Sequence, residues 1–139
     1  MADRLRTRSL VRDAVVWQSV RAGLADLTSS LGREQLDILD AGGGTGGFAV
    51  PLAELGHRVT VVDSSPDSLA ALERRAAESE VTDLVRGVQG DAASLLDVVP
   101  TASFDVVVCH RVLEIVDDPT ATLAGVAASL RGEGLVDRK

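Results

Sequence analysis

Five glycines in six positions, Gly42 to Gly44 with Gly46 and Gly47, follow the apolar run Leu36-Asp37-Ile38-Leu39-Asp40-Ala41. Glycine at that density is poor helix or strand material, because each one loses maximal backbone freedom on folding. What it offers instead is a backbone that a ligand can approach with no Cβ in the way. A strand running into such a turn and then into a helix start presents backbone N–H groups and a partial positive charge. The chain around it must therefore supply a strand before, a helix after, and a sheet to hold both.

The periodicity supplies them. Leu10, Ala14, Trp17, Leu24 and Leu27 mark one apolar face of a helix over residues 9–31, with Gly32 as its C-cap. Leu36 to Ala41 is the first strand, and Gly47 to Leu55 a helix that tolerates Pro51 near its first turn. His57 to Asp63 is a second strand ending in an acid. Ser65-Pro66-Asp67 starts a helix with a hydroxyl cap, a proline in the first helical position and an acid in the first turn. A third strand, 84–89, runs into Gly90-Asp91, and Ser94 to Val98 forms a single helical turn. Phe104 to His110 is an apolar β-branched strand of the kind buried on both faces. Asp117-Asp118-Pro119 opens a last helix running through Leu130. Strand and helix alternate over residues 36–130, so the strands are parallel and the crossovers right-handed: an α/β three-layer sandwich. The length of 139 residues suits one domain, 1–139.

Composition narrows the setting. No apolar run approaches the roughly 18 residues of a membrane helix, and no signal-peptide core follows the arginines of the N-terminus. One cysteine, Cys109, forms no intramolecular disulfide, and with two histidines a structural zinc site is not expected. These features predict a cytoplasmic protein with no metal. The net charge of −7 does not advertise nucleic-acid binding, although Arg4, Arg6, Arg8 and Arg12 stand against only Asp3 in the first twelve residues.

The glycines alone leave the ligand open. Gly42-x-Gly44-x-x-Gly47 matches the dinucleotide fingerprint, with Asp63 about twenty residues on to take a ribose, and that reading makes the chain an NAD-dependent oxidoreductase. The same residues match the Asp-x-Gly-x-Gly-x-Gly pattern, Asp40 to Gly46, of S-adenosylmethionine sites. Three acids favour the latter. Asp40 suits a ligand carrying an ammonium and a sulfonium and would repel a pyrophosphate. Asp63 can accept both ribose hydroxyls, and Asp91 the exocyclic amine of an adenine. Each stands at the end of one of three successive strands, where open α/β sheets place their ligands.

Leu39 to Gly46, Val61-Val62-Asp63, Gly90-Asp91 and Phe104 to Glu114 resemble the successive motifs of class I S-adenosylmethionine-dependent methyltransferases. The resemblance covers residues 36–131. It extends to the bacterial group that methylates the carboxymethoxy group of a tRNA wobble uridine, through Arg12-Asp13-Ala14-Val15-Val16-Trp17-Gln18, His110 to Glu114 and Asp118-Pro119. It implies a Rossmann-like fold and a methyltransferase that transfers a methyl group to an O or N acceptor, a modified tRNA uridine or a small molecule. It also implies site residues. Asp40, Gly42, Gly43, Gly44 and Gly46 would cradle the methionyl end, and Arg12 would reach its carboxylate. Asp63 and Ser64 would hold the ribose, and Asp91 and Ala92 the adenine. His110 would lie between cofactor and acceptor, as general base if the acceptor is an amine or hydroxyl.

Methyltransferases of this class continue with Arg-Pro-Gly-Gly into a fifth strand and beyond, whereas this sequence reads Arg131-Gly132-Glu133-Gly134 and then five more residues. The expectation is a parallel sheet truncated after the fourth strand, with the C-terminal part missing. Phe104 to Cys109 would then be an apolar edge open to a second copy of the chain. That leaves a non-catalytic S-adenosylmethionine-binding or assembly module as the alternative to an enzyme.

Overall fold

The computed structural model describes residues 18, 20–42, 46–108, 124–125 and 127–137. The chain divides into two units, Met1–Arg33 and Glu34–Lys139. In the first, residues 20–31 form helix α1, with Val20 and Leu24 buried on one face. Gly32 adopts φ +66°, and the Arg33 N–H reaches back to the Thr28 carbonyl at 3.2 Å. This is the expected C-cap, closed by a six-to-one hydrogen bond.

The second unit is a five-stranded parallel sheet in the order β3-β2-β1-β4-β5. Its strands are β1 (Asp37–Ala41), β2 (Arg58–Asp63), β3 (Val85–Gln89), β4 (Phe104–Val108) and β5 (Leu130–Asp137). Helix α2 (Ala49–Glu54) joins β1 to β2, and α3 (Pro66–Glu78) joins β2 to β3. A 3₁₀ segment, Ala92–Asp97, follows β3. Apolar side chains alternate to both faces of the sheet. On one face Leu39, Ala41, Val62 and Val107 pack with Leu95 and Val99. On the other, a Cβ added to Gly87 would stand 3.1 Å from Leu69 and 3.3 Å from Leu72 of α3. A glycine in an exposed strand thus lets the helix lie close. Helical layers on both faces give the expected three-layer sandwich.

Local signals set the element ends. Ser65 caps α3 by accepting the Ser68 N–H at 3.3 Å, and Pro66 follows at the first helical position. Helix α2 closes at Gly56, φ +100°, with Gly56 N–H to the Ala53 carbonyl and His57 N–H to the Leu52 carbonyl. Helix α3 closes the same way, but Glu80 occupies the left-handed position at φ +58°. Its N–H bonds to Ala77 and the next, Val81, to Ala76.

The end of the sheet corrects an expectation. The last helix ends by Ser129 rather than running through Leu130, and the chain goes straight into β5 beside β4. The register passes from Phe104 opposite Leu130 to Val106 opposite Leu135, so the Arg131-Gly132-Glu133-Gly134 stretch is accommodated as an irregularity in the ladder. The absent proline does not prevent the strand. The sheet therefore does not stop after the fourth strand. β4 is paired on both sides and buried at all five positions, so it is not an edge awaiting a second copy. A homodimer through that edge loses its physical reason.

Candidate cofactor site

Three strand ends converge at the carboxyl edge of the sheet. The Gly42 N–H, just past β1, donates to the Val62 carbonyl of β2 at 2.6 Å. The Gly90 N–H, just past β3, donates to the Asp63 carbonyl at 3.0 Å. These two bonds continue the ladders beyond the strands and bring the regions of Asp40, Asp63 and Asp91 to one edge. The strand order reverses beside β1, which is where a doubly wound sheet opens its ligand crevice.

The three acids differ in surroundings. Asp40 stands opposite Val61 in the β1–β2 register, so Asp63 is its diagonal neighbour on the same face of the sheet. Asp40 is 2 % exposed, and its Oδ2 is buried with no hydrogen-bond partner among the described residues. Burial, and then the charge of Asp63, push its carboxyl up to about 7. Asp63 accepts the Ser65 N–H on Oδ1 at 2.8 Å, which shapes the turn into α3. Asp91 is exposed and caps the 3₁₀ segment, its Oδ1 accepting the Ala93 N–H at 2.9 Å. Both acids thus fix turns while standing at the crevice.

The turn itself needs its glycines. Gly46 has φ +93°, and a Cβ there would meet Leu72 Cδ1 at 2.7 Å and Val50 Cγ2 at 3.2 Å. Gly90 is equally confined: a Cβ would stand 2.8 Å from Val98 Cγ2. Ser64 is exposed between Asp63 and the cap of α3, and its carbonyl accepts the Gln89 side-chain amide at 3.4 Å. Gln89 was not singled out in the sequence; its signal, a polar residue closing a strand opposite Asp63, is too common to notice. Ala92 opens the 3₁₀ segment. Of the remaining site candidates, Arg12, Gly43, Gly44 and His110 lie outside the described residues.

A buried carboxyl oxygen without a partner among the described residues, beside glycine and a second carboxylate, fits a ligand that brings positive charge. It does not fit a pyrophosphate. Residues 39–136 match the methyltransferase domain family. The chain belongs to that family. Two curated relatives agree. A tRNA 5-carboxymethoxyuridine methyltransferase of Escherichia coli (strain K12) is 32% identical over 130 residues, which is 94% of this chain and 48% of that protein. A ubiquinone biosynthesis O-methyltransferase of Methylocella silvestris is 38% identical over 108 residues, 74% of this chain and 39% of that protein. The chain thus spans about half the length, or less, of the curated relatives it matches. Among solved structures, a candidate sarcosine dimethylglycine methyltransferase from Galdieria sulphuraria superposes with a TM-score of 0.76 at 19% identity. That match covers 91% of this chain and 46% of the other, and it speaks for the fold. The cofactor of this methyltransferase family member is S-adenosylmethionine. Among the described residues, no helix is long and apolar enough to cross a membrane.

Proposed function

We propose that this chain is the cofactor-binding part of an S-adenosylmethionine-dependent methyltransferase acting on oxygen, with a carboxymethoxy-modified tRNA uridine as the leading acceptor and a small molecule as the second. The observation that carries the reading is the buried oxygen of Asp40 beside the glycine turn, without a partner among the described residues, with Asp63 on the same face. A crevice lined by acids selects against phosphate-rich ligands and for a sulfonium nucleoside.

The cofactor supplies a methyl group on a sulfonium that is already a leaving group. What the chain's residues contribute is position. Gly42 and Gly46, at φ +76° and +93°, give the turn the left-handed backbone it needs, and Gly46 leaves room for Leu72 and Val50 behind it. The Asp63 carboxylate takes the ribose hydroxyls from the end of β2, a rigid strand paired on both sides. Asp91, at the head of the 3₁₀ segment, takes the adenine amine. Holding the reacting groups in line can account for several kcal/mol of barrier lowering. A carboxylate acceptor is ionised at neutral pH and needs no base; an amine or hydroxyl would call on His110. The tRNA acceptor is supported by the relative that matches 94% of this chain. The net charge of −7 adds nothing to that support. A cytoplasmic setting goes with the same reading.

Calorimetric titration with S-adenosylmethionine and with NAD tests the reading. Binding of the first and not the second is expected; the reverse would return the chain to the dinucleotide class. Transfer of labelled methyl to tRNA carrying 5-carboxymethoxyuridine, against undermodified tRNA, then tests the acceptor.

A further inference from the structure

The Asp40 carboxyl is enclosed, and its Oδ2 has no donor facing it among the described residues. A carboxylate in that position would be a buried charge whose oxygen no described donor answers, which disfavours the ionised form. Its neighbours make matters worse. β1 and β2 are in register with Asp40 opposite Val61, which places the Asp63 carboxylate diagonally across on the same face. Two like charges at that separation cannot both be comfortable in a partly dry crevice.

Around Asp40 itself, the charged residues of the neighbouring elements stand away from it. On β2, Arg58 lies at the opposite end and is paired with Asp37, Nε to Oδ1 at 3.2 Å. On β4, Asp105 also lies at the far end and accepts the Asp37 N–H. The one charged residue of α2, Glu54, is exposed at its last position. On α3, Asp67, Glu73, Arg74, Arg75 and Glu78 are exposed. Asp63 is the charge that acts on Asp40.

We propose that the crevice loads its cofactor by proton exchange: Asp40 is a neutral carboxylic acid in the empty chain and releases its proton to solvent as the cationic methionyl end of S-adenosylmethionine enters, an inference that rests on the cofactor reading above. The O–H bond of the carboxyl breaks heterolytically, the electron pair stays on Asp40, and the proton passes to water and buffer. No redox change is involved. S-adenosylmethionine carries a net charge of about +1 near neutral pH, from its ammonium, sulfonium and carboxylate. One positive charge therefore leaves as one arrives, and the balance inside the crevice is kept. Loading then depends on pH: acid conditions hold the proton on Asp40 and compete with the cofactor.

The test is calorimetric titration of the full chain with S-adenosylmethionine at several pH values between 5.5 and 7, each in two buffers of different protonation enthalpy. In that range the ligand's own ammonium stays protonated. The expected result is close to one proton released per cofactor bound at pH 6, with affinity falling about tenfold per pH unit below about 7. Asp40→Asn, which keeps the shape and removes the titration, should bind more weakly at pH 7 and release no proton. Cofactor binding by the wild-type chain with no buffer-dependent heat and flat affinity overturns the proton exchange while leaving the cofactor reading intact. Proton release that persists in Asp40→Asn assigns it to another group and overturns it too. No binding of S-adenosylmethionine at any pH overturns both.

Discussion

The sheet buries an aspartate at each of its two ends, and the two have opposite circumstances. At the amino end, Asp105 on β4 is 4 % exposed and accepts the Asp37 N–H on Oδ2 at 2.9 Å. Beside it the buried His57 ring accepts the Leu36 N–H on Nδ1 at 3.1 Å. The Gln35 side chain there donates to the Gly56 carbonyl. These polar groups answer backbone groups that the strand starts would otherwise leave open. At the carboxyl end, Asp40 is buried just as deeply, with an oxygen that nothing described answers. One end is finished as structure. The other, on the function proposed above, waits for a ligand, and the same residue type marks both.

The sharpest way to break this comparison is to remove a carboxylate from the waiting end. Asp63→Ala should weaken S-adenosylmethionine binding by at least about 100-fold, the loss of two charge-assisted hydrogen bonds. Its cost to the fold, the turn bond to Ser65, should be only about 1 kcal/mol. Calorimetry and thermal melts on the same preparation separate the two. A variant that melts early but binds normally would reverse the roles assigned to the ends.

Acid titration sets the ends against each other next. Asp40, raised from its unfolded value to about 7, keeps its proton in the folded chain where the unfolded chain has lost it. Stability from this residue is therefore full below about pH 4 and is lost as pH rises towards 7, by roughly 4 kcal/mol at most. His57 runs the other way. Burial lowers its pKa from 6.5, so the unfolded chain binds the extra proton and stability rises with pH through the window below 6.5. Denaturant melts across pH 4 to 8 should show Asp40→Asn flattening the decline and His57→Asn removing the rise. Equal profiles for both variants and wild type would mean that neither group titrates as its burial implies.

A smaller effect is expected at the finished end. Asp105→Ala should destabilise by about 1–3 kcal/mol, because the Asp37 N–H loses its acceptor. Cofactor affinity of the folded molecules should be unchanged, measured by the same titration. The smallest effect lies at neither end: Glu80→Gly relieves a left-handed residue at the close of α3 and should stabilise by about 0.5–1 kcal/mol. It calibrates how well the melts resolve a change with no role in the site.

Much of this was legible in the residues themselves. The Ser65-Pro66 start of α3 and the buried run of β4 through Val108 are encoded locally, within a few positions, and each formed as read. β5 was not legible, because Arg131 to Gly134 carries no alternation and the strand exists through pairing with β4. The polar ties of the amino end were hidden for a similar reason. Leu36 and His57 are 21 positions apart, and their bond exists only once β1 and β2 have paired. At the site, the positions of the acids could be read, but not that Asp63 and Asp91 would also fix turns, nor that Asp40 would be enclosed. Those are properties of the folded neighbourhood.

The bonds from Gly42 and Gly90 onto β2 have one more consequence. Both flanking turns are referenced to consecutive carbonyls of a single strand, those of Val62 and Asp63. β2 is therefore the common datum of this edge, and the spacing between the turn after β1 and the turn after β3 is a property of two adjacent peptide units. A slip of β2 by one residue would displace both turns together and reverse the face on which Asp63 stands. The gauge of this edge is set by the backbone of one strand.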